Sequence, residues 1–367
     1  MPKFSICVPN YNYSHFIGQT IQSVSEQTFD NFEILVADNA STDNSLEILA
    51  EVANQEPRLK YKVNNCNVGF SGNLAKASEM ASGDWMTLLS SDDLMLPDAL
   101  QTYSKVINYF EQDDSLILSS ATHVIDSDNH VTGYRTLDWR FWQGAEKHDY
   151  LTQELGADVW VSSAGKLLRN SLLFMRSPFY FVTTTYSKRV FNQVEGYSQG
   201  GLINPDKSFA WAILACSTKA VFIDKPLFSY RVHSNNQQAQ QQKMGVLKHT
   251  TDQYILTFNT PTWVLEKAQI TRQDLVNAFI DQDIALRGLK ALADGNPLLA
   301  KRLLHYGAAA YPDVMRHNKK VLYLRGLLRL GHIGQLIARY LKNKSIEKWK
   351  KGEPIRILDF NAQKLIS

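Results

Sequence analysis

The first hundred residues alternate short apolar runs with stretches whose apolar residues recur every three or four positions. Phe4-Ser5-Ile6-Cys7-Val8 reads as a strand ended by Pro9, and Ile17, Ile21 and Val24 then share one helical face. Phe32 to Ala37 is a second strand, closed by Asp38-Asn39. Ser41-Thr42-Asp43 supplies capping side chains for a helix carrying Leu46, Leu49 and Val52 on one face. Leu59 to Val63 is a half-exposed third strand, Leu74 to Ala81 a helix stopped by Ser82-Gly83, and Trp85 to Leu89 a fourth strand. This alternation predicts a parallel sheet covered by helices. Ligands of such sheets bind beyond the carboxyl ends of the strands. Pro9-Asn10-Tyr11, Asp38-Asn39 and Asp92-Asp93 all lie at such ends, so three polar clusters should converge on one edge.

Residues from about 100 to 235 are less regular. Pro97-Asp98 opens a helix through Phe110, Leu116–Leu118 and His123–Ile125 read as strands, and Asp126 to Asn129 as a turn. After Pro226, Leu227 to His233 is a last strand-like run. The Asn/Gln-rich stretch Ser234 to Gln242 marks a domain boundary. From about 243 onward the pattern is helical: Val276, Phe279, Ile280 and Ile284 on one helix, Leu299, Leu303 and Leu304 on another.

The 367 residues suffice for two to three domains, and at 44% hydrophobic and 20% charged the chain is an ordinary globular protein. Cys7, Cys66 and Cys216 have no CxxC spacing, so neither a zinc site nor a disulfide framework is expected. With no signal peptide visible and no apolar run near 18 residues, the expected location is cytoplasmic. The net charge of +3 is uneven. Lys319 to Lys351 carries ten Lys/Arg and one Glu, a local +9, leaving about −6 elsewhere. Leu322 to Leu341 interleaves apolar residues with Arg325, Arg329 and Arg339. With Trp349 and the lysines around it, this segment reads either as a helix lying on the inner face of a membrane or as the solvated basic face of a small bundle. No nucleic-acid recognition motif accompanies it, so no nucleic-acid partner is expected.

Ser91-Asp92-Asp93 is the densest candidate chemistry. Two adjacent carboxylates at a strand end suit a hard cation such as Mg²⁺ or Mn²⁺, and such ions carry phosphates. The same pair also serves as a turn or helix cap. No GxGxxG follows the first strand, and there is no GxxxxGK[ST], GxSxG or HExxH. What remains is a metal and nucleotide site without those scaffolds.

Phe4 to Asn12, Phe32 to Ser45, Gly83-Asp84-Trp85, Ser91-Asp92-Asp93 and Tyr230-Arg231-Val232-His233 together resemble, in order and spacing, the inverting family 2 glycosyltransferases of GT-A fold, over roughly residues 3 to 235. The resemblance implies an α/β fold: a GT-A type, Rossmann-like mixed sheet flanked by helices, with a C-terminal all-helical extension. It implies a glycosyltransferase domain over 1–235, with a nucleotide-sugar half (1–98) and an acceptor half (99–235), followed by a helical region over 243–367. The activity implied is metal-dependent transfer of a hexosyl or related sugar from a nucleoside-diphosphate sugar, UDP or dTDP foremost, to a glycan or lipid-linked glycan in cell-surface polysaccharide or glycoconjugate synthesis.

The same resemblance assigns roles. Pro9 would shape the loop beside Tyr11, which would pack on the base, with Asn12 in the same motif. Asp38 and Asn39 would hydrogen-bond base and ribose. Asn39 stands where an aspartate is usual, and it can still accept through its amide oxygen. Asp92 would lie by the ribose and Asp93 would bind Mg²⁺ or Mn²⁺. Arg231 and His233 would contact the diphosphate or the metal. The acid two positions before the pair is replaced by Ser90. Asp206 takes the place of the general base, after Pro205 in the stretch that begins Glu195-Gly196-Tyr197, although it could instead cap the helix running to Ala215. Val161–Lys166 and Thr183–Thr185 would form part of the acceptor side. Trp139, Trp142 and Trp160 are candidates for sugar stacking or for the core. The competing readings are a sugar nucleotidyltransferase, which would need a Gly-rich phosphate loop not found here, and a non-catalytic nucleotide-sugar or glycan-binding protein.

Overall fold

In the computed structural model, residues 1–194, 205–233 and 245–350 are described, with side chains as far as 345. The chain divides into two compact units, Met1–Ser171 with Arg176–Gln240, and Leu172–Met175 with Gln241–Ser367.

The first unit is built on β1 (Phe4–Asn10), β2 (Phe32–Asp38), β3 (Leu59–Val63), β4 (Trp85–Leu88), β5 (Leu94–Met95), β6 (Leu116–Ile125), β7 (Val131–Arg135), β8 (Glu146–Lys147), β9 (Val159–Ser163), β10 (Thr185–Ser187) and β11 (Lys219–Arg231). They form one sheet in the order β3-β2-β1-β4-β10-β6-β11-β9-β8, with β5 on β11 and β7 on β6. The first four are parallel, β10 runs antiparallel to both its neighbours, and β6 and β11 are parallel again. The sheet is therefore mixed and flanked by helices, as the alternation predicts.

β1 and β2 are buried at every position, as strands covered on both faces must be. β3 buries only Leu59 and presents Lys60 and Lys62, which suits an edge. The crossovers are α1 (Ser14–Ser25), α2 (Ser45–Gln55) and α3 (Gly69–Glu79). α1 buries Ile17, Ile21 and Val24, the face its periodicity marks. At the entry to β4, a Cβ on Gly83 would stand 2.7 Å from the Lys3 carbonyl oxygen, so only glycine lets the two chain segments approach this closely.

Two sequence expectations need correction. The two strands expected around residues 116 and 123 are one ten-residue strand, β6, because Ser119, Ser120 and Thr122 are buried within it. The last strand does not start after Pro226. β11 begins at Lys219 and passes through Pro226 with register shifts on both sides, since proline has no N–H for the ladder.

The second unit is helical over its described residues, from Val246 to Lys350. Val276, Phe279, Ile280 and Ile284 are buried there, as expected, although Ile280–Leu286 is wound as a π-helix between Arg272–Phe279 and Arg287–Ala293. Among the described residues no helix is long and apolar enough to cross a membrane. The expected boundary segment 234–242 and the side chain of Trp349 lie outside the described residues.

Candidate active site

The strand ends do meet. Asn10 at the end of β1 pairs in register with Asp38 at the end of β2, and β4, which leads to Asp92-Asp93, lies on the other side of β1. Two polar clusters form along this edge, and they differ in how their hydrogen-bonding capacity is used.

The β1–β2 cluster is occupied with itself. Asp38 is fully buried and accepts from Asn10 Nδ2 (2.8 Å), the Ser41 amide (2.8 Å) and Ser41 Oγ (2.7 Å). Asn39 donates to Asn67 Oδ1 (2.8 Å) and the Gly69 carbonyl (3.3 Å), and its Oδ1 accepts from Asn64 Nδ2 (3.1 Å) and the Val68 amide (2.9 Å). Both donors and both lone pairs are thus committed. In this structure Asn39, expected to hydrogen-bond base and ribose, latches the 64–69 loop. Asp38 likewise braces the β2–α2 turn. Asn12, at φ +57°, accepts from the Thr42 amide (2.8 Å) and ties two loops together. Pro9 is buried in β1, while Tyr11, just past it, is 41% exposed and open to a ring partner.

The β4–β11 cluster is different. The Asp pair splits in two. Asp92 Oδ2 lies 3.0 Å from His233 Nε2. Asp93 turns inward, is fully buried, and accepts the Arg231 amide through Oδ1 (2.8 Å), while its Oδ2 has no partner. Burial first, and then the charge of Asp92, pushes the Asp93 carboxyl well above its ordinary range. Thr20 Oγ1 fixes the turn by donating to the carbonyls of Ser91 and Asp93. His233 packs against Phe16 (4.9 Å between centroids) and Tyr13 (5.8 Å).

Arg231, expected on the diphosphate or the metal, makes its contacts within the protein here. Its side chain is buried and donates to the carbonyls of Asp92 (2.7 Å), Asp126 (3.2 Å) and Ser127 (3.2 Å), to Asn129 Oδ1 (2.6 Å) and to Gln19 Oε1 (3.3 Å). With its fork spent on the β6–β7 turn, it clamps that turn to the Asp pair. The turn itself carries Asp126, Asp128 and His130, whose ligand atoms all lie within 4.8 Å of one another, mostly exposed.

Asp206 begins the helix α4 (Asp206–Ala215). The N-cap is Pro205, Asp206 stands in the first turn, and its Oδ1 is buried without a partner among the described residues. Burial raises its carboxyl to about 6. Tyr230 ties it to the Asp pair: burial and the charges of Asp93, Asp92 and Asp206 all raise the Tyr230 hydroxyl, while Arg135 opposes them. Glu195 to Asn204, in the stretch before Asp206, lies outside the described residues.

Trp142 is fully buried between Phe179 and Phe222, so it is core rather than a sugar platform. Trp139 is half-exposed and stands edge-on to Trp160 (4.7 Å). Thr183 and Thr185 are buried, and Thr185 belongs to a central strand, which leaves them no exposed surface for an acceptor. Tyr13 and Arg135 carry no sequence expectation, and Tyr230 enters only as part of the motif Tyr230-Arg231-Val232-His233. Tyr13 is raised by burial and by Asp92 and Asp93, and Tyr230 follows the same logic. An aromatic beside a buried acid pair was the available signal.

Residues 5–171 match the model of glycosyl transferase family 2. A glycosyltransferase of Haemophilus influenzae is 34% identical over 178 residues, 48% of this chain and 67% of that one. The GalNAc(5)-diNAcBac-PP-undecaprenol beta-1,3-glucosyltransferase of Campylobacter jejuni is 34% identical over 109 residues, 29% of this chain but only 35% of that enzyme. Among solved structures, S. aureus TarS 1-349 in complex with UDP-GlcNAc has the same fold, with a TM-score of 0.60 over 98% of this chain and 95% of that one, at 17% identity. On the family match, the related sequence and the shared fold, the chain belongs to glycosyl transferase family 2 and is a glycosyltransferase of GT-A fold.

Proposed function

We propose that this enzyme transfers a sugar with inversion from a nucleoside-diphosphate sugar to a glycan or lipid-linked glycan, with Asp206 as general base. The observation that carries the reading is Asp206 Oδ1, buried, unpartnered among the described residues and on a carboxyl raised to about 6. A base is most effective when its proton affinity sits near the working pH. In the step proposed, the acceptor oxygen bonds to the anomeric carbon while the bond to the diphosphate oxygen breaks. The acceptor proton passes to Asp206.

The groups present fit a divalent ion. Asp92 and His233 bring a carboxylate and an imidazole together, a donor set that suits a divalent cation. In our reading Asp92 and His233 would hold Mg²⁺ or Mn²⁺, and Asp93 would position Asp92 instead of ligating the ion. When bound, the ion would offset the charge that develops on the departing nucleoside diphosphate. Tyr11, with its exposed ring, is the side chain we assign to the base. UDP is the first donor nucleotide to try because the TarS structure is a complex with UDP-GlcNAc. A polyprenol-linked acceptor is the first to try because the Campylobacter relative is named for one.

Asp206→Asn should lose about 10²–10⁴-fold in turnover while UDP binding, read by calorimetry, stays within twofold. Near-normal turnover in this variant would remove Asp206 from the role.

The second unit supports a membrane partner. Ile333 and Tyr340 are each 63% exposed, Tyr323, Leu330 and Leu336 are also exposed, and Arg329, Arg339 and Lys344 stand among them. We assign this face to an anionic lipid surface, since apolar and basic groups side by side fit acyl chains below charged headgroups. Ile333→Asp with Tyr340→Asp should abolish co-sedimentation with phosphatidylglycerol vesicles. Unchanged co-sedimentation, or a wild-type chain that buries this face in a dimer by light scattering, would refute the assignment.

A further inference from the structure

Arg135, the last residue of β7, stacks its guanidinium on Tyr230 (4.6 Å to the ring centroid) and faces Tyr180 (5.4 Å). It is half-buried, and among the described residues it has neither an ion pair nor a hydrogen bond. Four of the other arginines in this unit are committed: Arg58 to Glu56, Arg140 to Asp138, Arg189 to Asp114, and Arg231 to the β6–β7 turn. A guanidinium offers five donors in a rigid fork that matches phosphate and carboxylate oxygens. Held between two rings and with no protein partner among the described residues, the fork is open to such oxygens. Two aromatic faces hold the plane of the fork, so little freedom remains to be lost on binding.

Its location narrows the ligand. Tyr230, on which Arg135 stacks, directly precedes Arg231, whose amide donates to Asp93 Oδ1 (2.8 Å), and its hydroxyl also feels the charges of Asp93, Asp92 and Asp206. The fork therefore belongs to the edge where Asp206 and the Asp pair gather. An anion arriving there needs a cation that carboxylates have not already claimed, and Arg231 is spent.

We propose that Arg135 binds a phosphate group at this site, in the role expected of Arg231. The inference rests on the glycosyltransferase reading above and names the residue that receives the substrate's anion. Two substrates could bring the phosphate, the nucleoside-diphosphate donor or a lipid-diphosphate acceptor, and we assign it to the donor.

The test is calorimetry with UDP, uridine and farnesyl diphosphate, each with Mn²⁺ in 0.1 M NaCl, on wild type, Arg135→Met and Arg135→Lys. Methionine keeps an apolar stem against the two rings, and lysine keeps the charge without the fork. Loss of a charged hydrogen bond corresponds to about ten- to a hundredfold in affinity. Arg135→Met should weaken UDP by that factor, leave uridine within twofold, and be partly rescued by Arg135→Lys. The same loss confined to farnesyl diphosphate would support the phosphate role and overturn its assignment to the donor. Equal weakening of UDP and uridine, or no change for either diphosphate, would overturn the inference while UDP binding by wild type leaves the donor reading intact. A wild-type chain that binds neither diphosphate would overturn both.

Discussion

The β1–β2 end of the sheet and the β4–β11 end are both rich in carboxylates and amides, yet they are built for different purposes. At the first, Asp38 and Asn39 are buried and their polar atoms meet protein partners from Asn10 to Gly69, while Asn10 Oδ1 and, at the start of α2, Ser45 Oγ are left over among the described residues. At the second, among the described residues, Asp93 Oδ2 and Asp206 Oδ1 are buried and unmet, and the half-buried Arg135 fork stacks on rings without a protein partner. Unpaired buried polar atoms cost roughly 1–3 kcal/mol each. A fold carries that cost where something outside the protein repays it. The saturated end is thus a floor that holds loops in place, and the unsatisfied end is where substrate and ion belong. Residue type alone does not separate the two; bond accounting does.

The Asp pair is the sharpest place to break this comparison. Asp92→Asn removes the carboxylate beside His233 and should raise the Mn²⁺ needed for half-maximal activity by more than a hundredfold. Asp93→Asn changes a group that acts through its neighbours, and its effect should be about ten- to a hundredfold. A titration of activity with Mn²⁺ reads both. The reverse order would return the ion to Asp93, as expected from the sequence.

Next in size is Asn39. Asn39→Ala strands the Val68 amide and takes one of two partners from each of Asn64 Nδ2 and Asn67 Oδ1, and should cost about 1–3 kcal/mol of stability in urea unfolding. Its preference among UDP, dTDP, GDP and CDP should not change. A switched preference would show that Asn39 reads the base after all and that the floor is part of the pocket.

These two cases also show what the sequence could and could not tell. β1 to β4 were legible because buried parallel strands are continuous apolar runs, and the polar residues that end them follow from the topology. The occupancy of those polar groups was not. The partners of Asn39 come from the 64–69 loop, more than twenty residues along the chain. Those of Arg231 include the β6–β7 turn, more than a hundred residues away. Such pairings depend on tertiary placement, which local pattern does not encode. Arg135 escaped notice for the same reason: in Val131-Thr132-Gly133-Tyr134-Arg135 it reads as one more edge-strand cation, and only the rings of Tyr180 and Tyr230 reveal it.

The smallest expected effect separates the two ends by pH. Asp206 is raised from 3.8 to about 6 by burial, so between those values the folded chain holds a proton that the unfolded chain has released. Stability attributable to this group therefore falls as pH rises from 3.8 to 6, and it stays low above that. Activity runs the opposite way. As a base Asp206 must be ionised, so kcat/KM should drop about tenfold per pH unit below 6 and be flat in this group above 7. Asp206→Asn should consequently be inactive and yet more stable at pH 7, by on the order of 1–3 kcal/mol, since the residue keeps some exposure. Asp38 offers the control, because its carboxylate is stabilised by three hydrogen bonds, and Asp38→Asn should destabilise at the same pH. If Asp206→Asn were also less stable than wild type at pH 7, its carboxylate would have to be satisfied in the folded chain. The distinction between a floor that uses its charges and an edge that holds them ready would then fail at its central residue.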